Sequence, residues 1–309
     1  MSAGGMQTLL VSGATGLIGG RLLKAFGDAG PRVIALTRSP QRAAAALGAR
    51  RTPVAWDGLQ VPREAFAEAD TLLHLAGEPL FGGLPTPGRL ARIRSSRVDS
   101  TQAMIAALAA LPSERRPRTL VCASAVGIYG SRGEEELPEE APPGEGFLAD
   151  LCRDWETAAL SAAAYGVRVV CLRFGIVLAA EGGALALMAR VFRLGLGGRL
   201  GSGRQWVPWV HADDAVGLVR RALEDPDLRG PINVVAPGCV RNKELTRALA
   251  ARLRRPALLP APGFAVKAAL GPLAGELLGS RRVVPRRAAQ LGHTFAHPAL
   301  EGALAKELG

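Results

Sequence analysis

The residues best suited to chemistry stand near the start of the chain. Val11-Ser12-Gly13-Ala14-Thr15-Gly16-Leu17-Ile18-Gly19-Gly20 follows an apolar run, Thr8 to Val11, and opens a segment with helical spacing. Each glycine of the 13, 16, 19 pattern has a physical reason. Gly13 permits a tight turn, Gly16 lets backbone approach a pyrophosphate, and Gly19 allows close packing of helix on strand. The helix start then offers free N–H groups and a positive dipole end to an anion. Gly13, Thr15, Gly16, Leu17, Ile18 and Gly19 are therefore expected to cradle a dinucleotide. The second strand ends in Leu36-Thr37-Arg38-Ser39 with no acid, where an NAD site places one for the ribose 2′-hydroxyl. Thr37, Arg38 and Ser39 are expected at the ribose, Arg38 pairing a 2′-phosphate and Ser39 donating to it, so NADP(H) is preferred over NAD(H). Asp57, ending a third strand, can accept from an adenine amino group. The plain alternatives are a ligand-free turn, an exposed strand-end arginine and a loop aspartate.

These residues need a scaffold, and the chain reads as one. Apolar runs at Thr8–Val11, Arg32–Leu36, Thr52–Trp56, Thr71–Leu75, Arg118–Ala123 and Arg168–Arg173 alternate with helical patterns. The helices are expected at Leu17–Ala29, Ala43–Leu47, Arg89–Ala110 (one long amphipathic helix) and Phe147–Tyr165. Short strands that are apolar on both faces, separated by helices, predict an α/β fold with a doubly wound parallel sheet. After Gly175 the rhythm breaks. Helices are expected at Ala184–Phe192, Ala212–Leu223, Glu244–Leu253, Gly263–Leu278 and Ala299–Leu308, with a strand at Pro231–Val235. The dinucleotide domain is expected over 6–178, with 212–236 returning to it. A smaller C-terminal α/β substrate lobe would take 179–211 and 237–309. Gly130–Gly144 and Pro112–Pro117 read as exposed.

Composition excludes several classes. With 309 residues, 48% of them hydrophobic, the chain can bury a large core. No uninterrupted apolar run is long enough to span a bilayer. The net charge of +11 invites a nucleic-acid reading. Yet only Lys24, Lys243, Lys267 and Lys306 are lysines, and so arginine-rich a balance fits a coding bias, so no nucleic-acid partner is expected. A small anionic ligand is the better use of the excess. Cys122, Cys152, Cys171 and Cys239 are far apart, which predicts neither a disulfide framework nor a zinc site. Met1–Gly5 lacks the features of a signal peptide, so a cytoplasmic location is expected.

The sequence resembles the short-chain dehydrogenase/reductase superfamily, in particular its extended, epimerase-type members. The resemblance is carried by Gly13–Gly19, by Leu73-His74-Leu75-Ala76-Gly77, by Ser124-Ala125-Val126-Gly127-Ile128-Tyr129-Gly130 and by Trp209-Val210-His211-Ala212-Asp213-Asp214. More narrowly it is similar to the epimerase family branch that carries a C-terminal domain of uncharacterised function. The marks are Ala76-Gly77-Glu78-Pro79, Ser96-Arg97-Val98, Trp155-Glu156, the Gly195–Gln205 loop and Leu291-Gly292-His293-Thr294-Phe295. The resemblance implies a Rossmann domain with NADP(H) across the carboxyl ends of the strands. Leu75, Ala76 and Gly77 would line the ribose and nicotinamide.

One part of the family pattern is missing. Reductases of the superfamily use a Tyr-x-x-x-Lys pair, in which the lysine lowers the phenol pKa. Neither Tyr129 nor Tyr165 has a lysine four residues later. Anchored on Glu156, the Tyr position falls near Leu148 and the Lys position near Cys152. Candidate substitutes for proton transfer are Ser124, Tyr129, Glu78 and Cys152. Arg199 and Arg204, in the glycine-rich loop, are expected to hold an anionic substrate. Two main readings stand: an NADP(H)-dependent oxidoreductase acting on an anionic small molecule, or a catalytically silent NADP(H)-binding sensor or scaffold. A sugar-nucleotide epimerase is the third. No metal is expected, and a homodimer is compatible with either main reading.

Overall fold

The computed structural model describes residues 6–27, 29–48 and 51–309; the Met1–Gly5 segment read above lies outside them. Seven strands form one parallel sheet: β1 (Thr8–Ser12), β2 (Arg32–Thr37), β3 (Arg51–Ala55), β4 (Thr71–His74), β5 (Thr119–Ala125), β6 (Arg168–Phe174) and β7 (Gly230–Val234). Their spatial order is β7-β6-β5-β4-β1-β2-β3. The middle strands are buried on both faces, which explains their unbroken apolar runs. Pro53 and Pro231 stand in the two edge strands, where a missing N–H leaves no central ladder bond unmade.

Helices cover both faces. Ile93, Val98, Met104, Leu108, Leu151 and Trp155 pack on one side. Leu22, Leu23, Leu47, Val219 and Leu223 pack on the other. Full burial of a leucine such as Leu22 contributes about 1.5–3 kcal/mol. The order reverses between β1 and β4, so the crevice beyond their carboxyl ends is where a ligand binds in such sheets.

Beyond β6 the chain builds a third apolar cluster from Leu185, Phe192, Trp209, Leu245, Leu249 and Leu304. Its helices are Gly183–Arg193, Asn242–Leu253 and Leu300–Leu308. Helix Ala212–Glu224 and β7 return to the main sheet.

Three expectations need correction. The helix expected over Arg89–Ala110 is two helices, Pro87–Ser95 and Val98–Ala109, broken at Ser96-Arg97. Gly263–Leu278 is likewise interrupted by a 3-10 turn at Gly271–Leu273, where Pro272 cannot donate a helical hydrogen bond. Gly130–Gly144 is not wholly exposed: Glu136–Leu137 pairs with Arg282–Val283, and Leu137 and Glu139 are buried.

Candidate functional site

The glycine turn has the geometry its spacing predicts. Gly13 adopts φ +77°, and a Cβ there would stand 2.9 Å from the Leu75 carbonyl carbon. A Cβ on Gly19 would lie 2.3 Å from the Gly13 oxygen, so the first helix can approach the turn only as glycine. That helix, Leu17–Phe26, begins with no capping side chain and no acid in its first turn. Its N-terminal N–H groups are thus available to an anion.

A cleft of about 810 Å³ opens above the turn. Gly13, Thr15, Gly16, Thr37, Arg38, Ser39, Asp57, Leu75, Ala76, Gly77 and Glu78 all line it. Leu17 and Ile18 do not; Ile18 packs against the core, and the Leu17 side chain faces Gly182 and Gly183. Asp57 accepts from the backbone N–H groups of Leu59 and Gln60, both at 2.8 Å. The Gln60 and Leu59 bonds hold its carboxyl below the usual range. Among the lining residues missed in the sequence, two stand out. Arg42 lies four residues after Arg38, on the first turn of helix Pro40–Leu47. Trp56 lines the same wall, its buried Nε1 without a hydrogen-bond partner among the described residues. The cradle, the arginines and the unpartnered indole fit a dinucleotide.

Leu75, Ala76 and Gly77 also line a second, smaller pocket of about 190 Å³. Its walls include Arg97, Ser124, Leu148, Cys152, Trp155 and Glu276. Leu148 and Cys152, near which the Tyr and Lys positions were expected, both line the pocket, and neither side chain can do that acid–base work. Burial first, then the charges of Glu156 and Glu276, push the Cys152 thiol up to about 12, so it stays protonated at neutral pH.

The structure separates the other candidates from this pocket by varying degrees. Ser124 lines it, but its hydroxyl donates to Glu156 at 2.6 Å. Glu156 is held by Arg173 through two 2.8 Å bonds. Arg173 also donates to the Tyr129 hydroxyl at 2.8 Å, which donates to Asn233 Oδ1 at 2.7 Å. Tyr129 is fully buried and lines neither the cleft nor the small pocket. Burial raises its pKa to about 12. Tyr129 is thus a tie between β6, β7 and the 130–144 segment, which corrects the expectation that it substitutes in proton transfer. Arg199 and Arg204 are exposed in the Gly195–Gln205 loop and line none of these cavities, so they too depart from expectation. Arg199 instead donates to the Ser202 carbonyl at 3.0 Å.

A third cavity, about 380 Å³, adjoins the cleft through Glu78 and Arg92 and includes Arg89. On the far side of the first helix, His211, Asp213 and His297 place ligand-type atoms within 4.8 Å of one another. His211 Nδ1 already accepts from the Asp213 N–H at 3.1 Å, and Arg21 pairs with Asp213 at 2.9 Å. A cation there would compete with a guanidinium. Arg281 is buried, donates to the Gly130 and Gly275 carbonyls, and pairs with Glu276 at 3.2 Å.

The comparisons with known proteins agree with this geometry. The NAD dependent epimerase/dehydratase family matches residues 9–236, and a domain of unknown function (DUF1731) matches 261–307. The chain is similar to the chloroplastic epimerase family protein SDR39U1 homolog of Arabidopsis thaliana, at 38% identity over 96% of this chain and 86% of that one. The crystal structure of human epimerase family protein SDR39U1 (isoform 2) with NADPH superposes with a TM-score of 0.84 at 31% identity, covering 98% of this chain and 99% of that one. The nucleoside-diphosphate sugar epimerase of Corynebacterium glutamicum gives a TM-score of 0.79 at 34% identity, over 99% of this chain and 59% of that one. Solved epimerases holding NAD at under 25% identity share the fold alone. No helix among the described residues is long and apolar enough to cross a membrane. The fold, the glycine cradle and these matches together show that the chain belongs to the NAD dependent epimerase/dehydratase family, with a C-terminal DUF1731 domain.

Proposed function

We propose that the chain is an NADP(H)-binding protein of epimerase fold, and that cofactor occupancy rather than rapid turnover is its output. The observation that carries this reading is the end of β2. Thr37, Arg38 and Ser39 line the cleft there with Arg42 close behind, and no acid follows β2 to hold a 2′-hydroxyl. Two guanidiniums suit a 2′-phosphate dianion. The human relative was solved with NADPH, which supports the same choice. The first helix N-terminus and Gly13–Gly16 would take the pyrophosphate, Asp57 the adenine edge, and Leu75–Gly77 the nicotinamide ribose. The absence of a Tyr–Lys couple at Leu148 and Cys152 supports an output other than fast proton-coupled hydride transfer.

A second reading, hydride exchange with a small anionic carbonyl compound, is favoured by the 190 Å³ pocket that shares Leu75–Gly77 with the cleft. NADPH would supply the hydride. A proton would have to come through Ser124 and Glu156, or from Glu78 at the cleft wall. The lobe formed by 179–211 and 237–309 would stand on the substrate side. Single-turnover mixing of the NADPH complex with small oxo acids separates the readings. The first predicts unchanged nicotinamide absorbance, and stoichiometric loss of that absorbance would replace it with the second.

A further inference from the structure

The cation facing the small pocket comes from the break between two helices. Helix Pro87–Ser95 ends at Ser96, and Arg97 takes φ −116° before helix Val98–Ala109 begins. Ser96 Oγ accepts from the Glu78 N–H at 2.9 Å, which pins this corner to the end of β4. The Arg97 side chain is thereby directed over the Trp155 ring, with Cζ 5.4 Å from its centroid. It lies flat against Gly77, where a Cβ would come within 3.1 Å of Cζ. Nη1 donates to the Ile93 carbonyl at 3.1 Å and approaches Ser96 Oγ at 3.4 Å. Nε and Nη2 make no hydrogen bond, and no carboxylate lies within ion-pair distance, among the described residues.

The guanidinium therefore keeps Nε and Nη2 uncommitted, whereas the buried Arg168 spends its guanidinium on backbone carbonyls. Burial pulls its pKa below the ordinary arginine value, and the charge of Glu78 offsets only part of that pull. Arg97 is half-buried, and a guanidinium partly withdrawn from water with no paired carboxylate is stabilised when an anion arrives. The rest of the pocket offers that anion no rival. Leu148, Leu151, Ala123 and Ala125 are apolar, and the Ser124 hydroxyl is committed to Glu156. Glu276, the one carboxylate in the wall, is neutralised by Arg281 at 3.2 Å. At about 190 Å³ the pocket is smaller than the roughly 300–1,000 Å³ of drug-sized sites.

We propose that this pocket is a receptor for a small carboxylate, anchored by Arg97 beside the nicotinamide end of the cleft. The placement beside nicotinamide rests on the NADP(H) reading; the anion site itself does not. Arg97 takes the place expected for Arg199 and Arg204, and the ligand is a compact acid rather than a nucleotide sugar.

The test is a thermal-shift and fluorescence titration of the full chain with oxamate, with and without saturating NADPH, and with uncharged acetamide as control. Saturable stabilisation by oxamate alone among the two probes is expected. Arg97→Met should abolish it and Arg97→Lys should weaken it at least about tenfold, since a lysine cannot give the planar fork. Leu148→Trp, which fills the pocket and leaves the guanidinium in place, should block oxamate as well. No saturable response of the wild-type NADPH complex, or an undiminished response in a folded Arg97→Met chain, would overturn the proposal. Parallel loss of NADPH and oxamate binding in both Arg97 variants would also overturn it, making Arg97 a cofactor ligand. A wild-type chain that binds oxamate through Arg97 but not NADPH would uphold the anion site and refute the cofactor reading.

Discussion

Replacing Arg173 with methionine tests whether the buried network under the small pocket is structural. Methionine keeps much of the aliphatic length and removes every polar contact. Four hydrogen bonds are lost: two of 2.8 Å to Glu156, one of 2.8 Å to Tyr129, and one of 2.9 Å to the Glu139 carbonyl. Both side chains of the ion pair are 7% exposed. Glu156 would be left as a buried charge with only the Ser124 hydroxyl to satisfy it. Removing one partner of such a pair costs about 3–5 kcal/mol. Domains of this kind have only about 5–15 kcal/mol in all, so the variant should stand near its folding limit. Urea unfolding followed by fluorescence should show a midpoint lower by about 1 M or more, with an unchanged m-value. Adding Glu156→Gln removes the orphaned charge. The double variant should therefore lose less than the sum of the two single losses, by about 0.5–3 kcal/mol. NADPH affinity should be nearly unchanged, because none of these side chains lines the large cleft. A loss below about 1 kcal/mol, or strict additivity, would refute the reasoning and imply that the network is hydrated.

Other outcomes follow from the same geometry. Gly19→Ala would place a Cβ 2.3 Å from the Gly13 oxygen, so it should abolish NADPH binding and lower the melting temperature together. Tyr129→Phe should cost about 1–3 kcal/mol by stranding Asn233 Oδ1 and leave NADPH binding intact, measured by the same urea midpoint and a cofactor titration. His74 is fully buried between Ser12 and Ser100, and burial, with Arg97 nearby, lowers its pKa to about 4. The unfolded chain therefore takes up this proton more readily. The contribution is complete above about pH 6.5 and is lost as pH falls towards 4, by at most about 1.4 kcal/mol per pH unit. Urea midpoints at pH 7 and 5 should differ in the wild type, and a His74→Gln variant should show a smaller difference.

Much of the fold was legible because the central strands are buried on both faces and carry unbroken apolar runs. Leu72, Leu73, Leu120 and Val121 leave little choice of structure. The glycine turn was legible for a different reason: Gly13 and Gly19 stand where no side chain fits. The helix break at Ser96-Arg97 was not legible, since neither proline nor glycine marks it. It arises from a tertiary bond, Glu78 N–H to Ser96 Oγ, between residues eighteen apart. With the break hidden, Arg97 entered the sequence reading only within the Ser96-Arg97-Val98 family mark, and Arg199 and Arg204 were expected to hold the anion instead. Tyr129 misled because its motif position is right while its hydroxyl turns inward to Asn233, more than a hundred residues away. Glu276 and Arg281 enter the site from the C-terminal domain, and no local pattern announces a contact of that range. Arg42, by contrast, was within reach, because four residues after Arg38 is one helical turn away.

The central claim is that the end of β2 selects the phosphorylated cofactor. Its most direct test is a titration of the wild-type chain and Arg38→Ala with NADPH and NADH, followed by nicotinamide fluorescence. The wild type should bind NADPH at least about tenfold more tightly, a gap of about 1.4 kcal/mol. Arg38→Ala should narrow that gap by weakening NADPH while leaving NADH nearly unchanged. Equal affinities in the wild type, or a preference untouched by Arg38→Ala, would contradict the account.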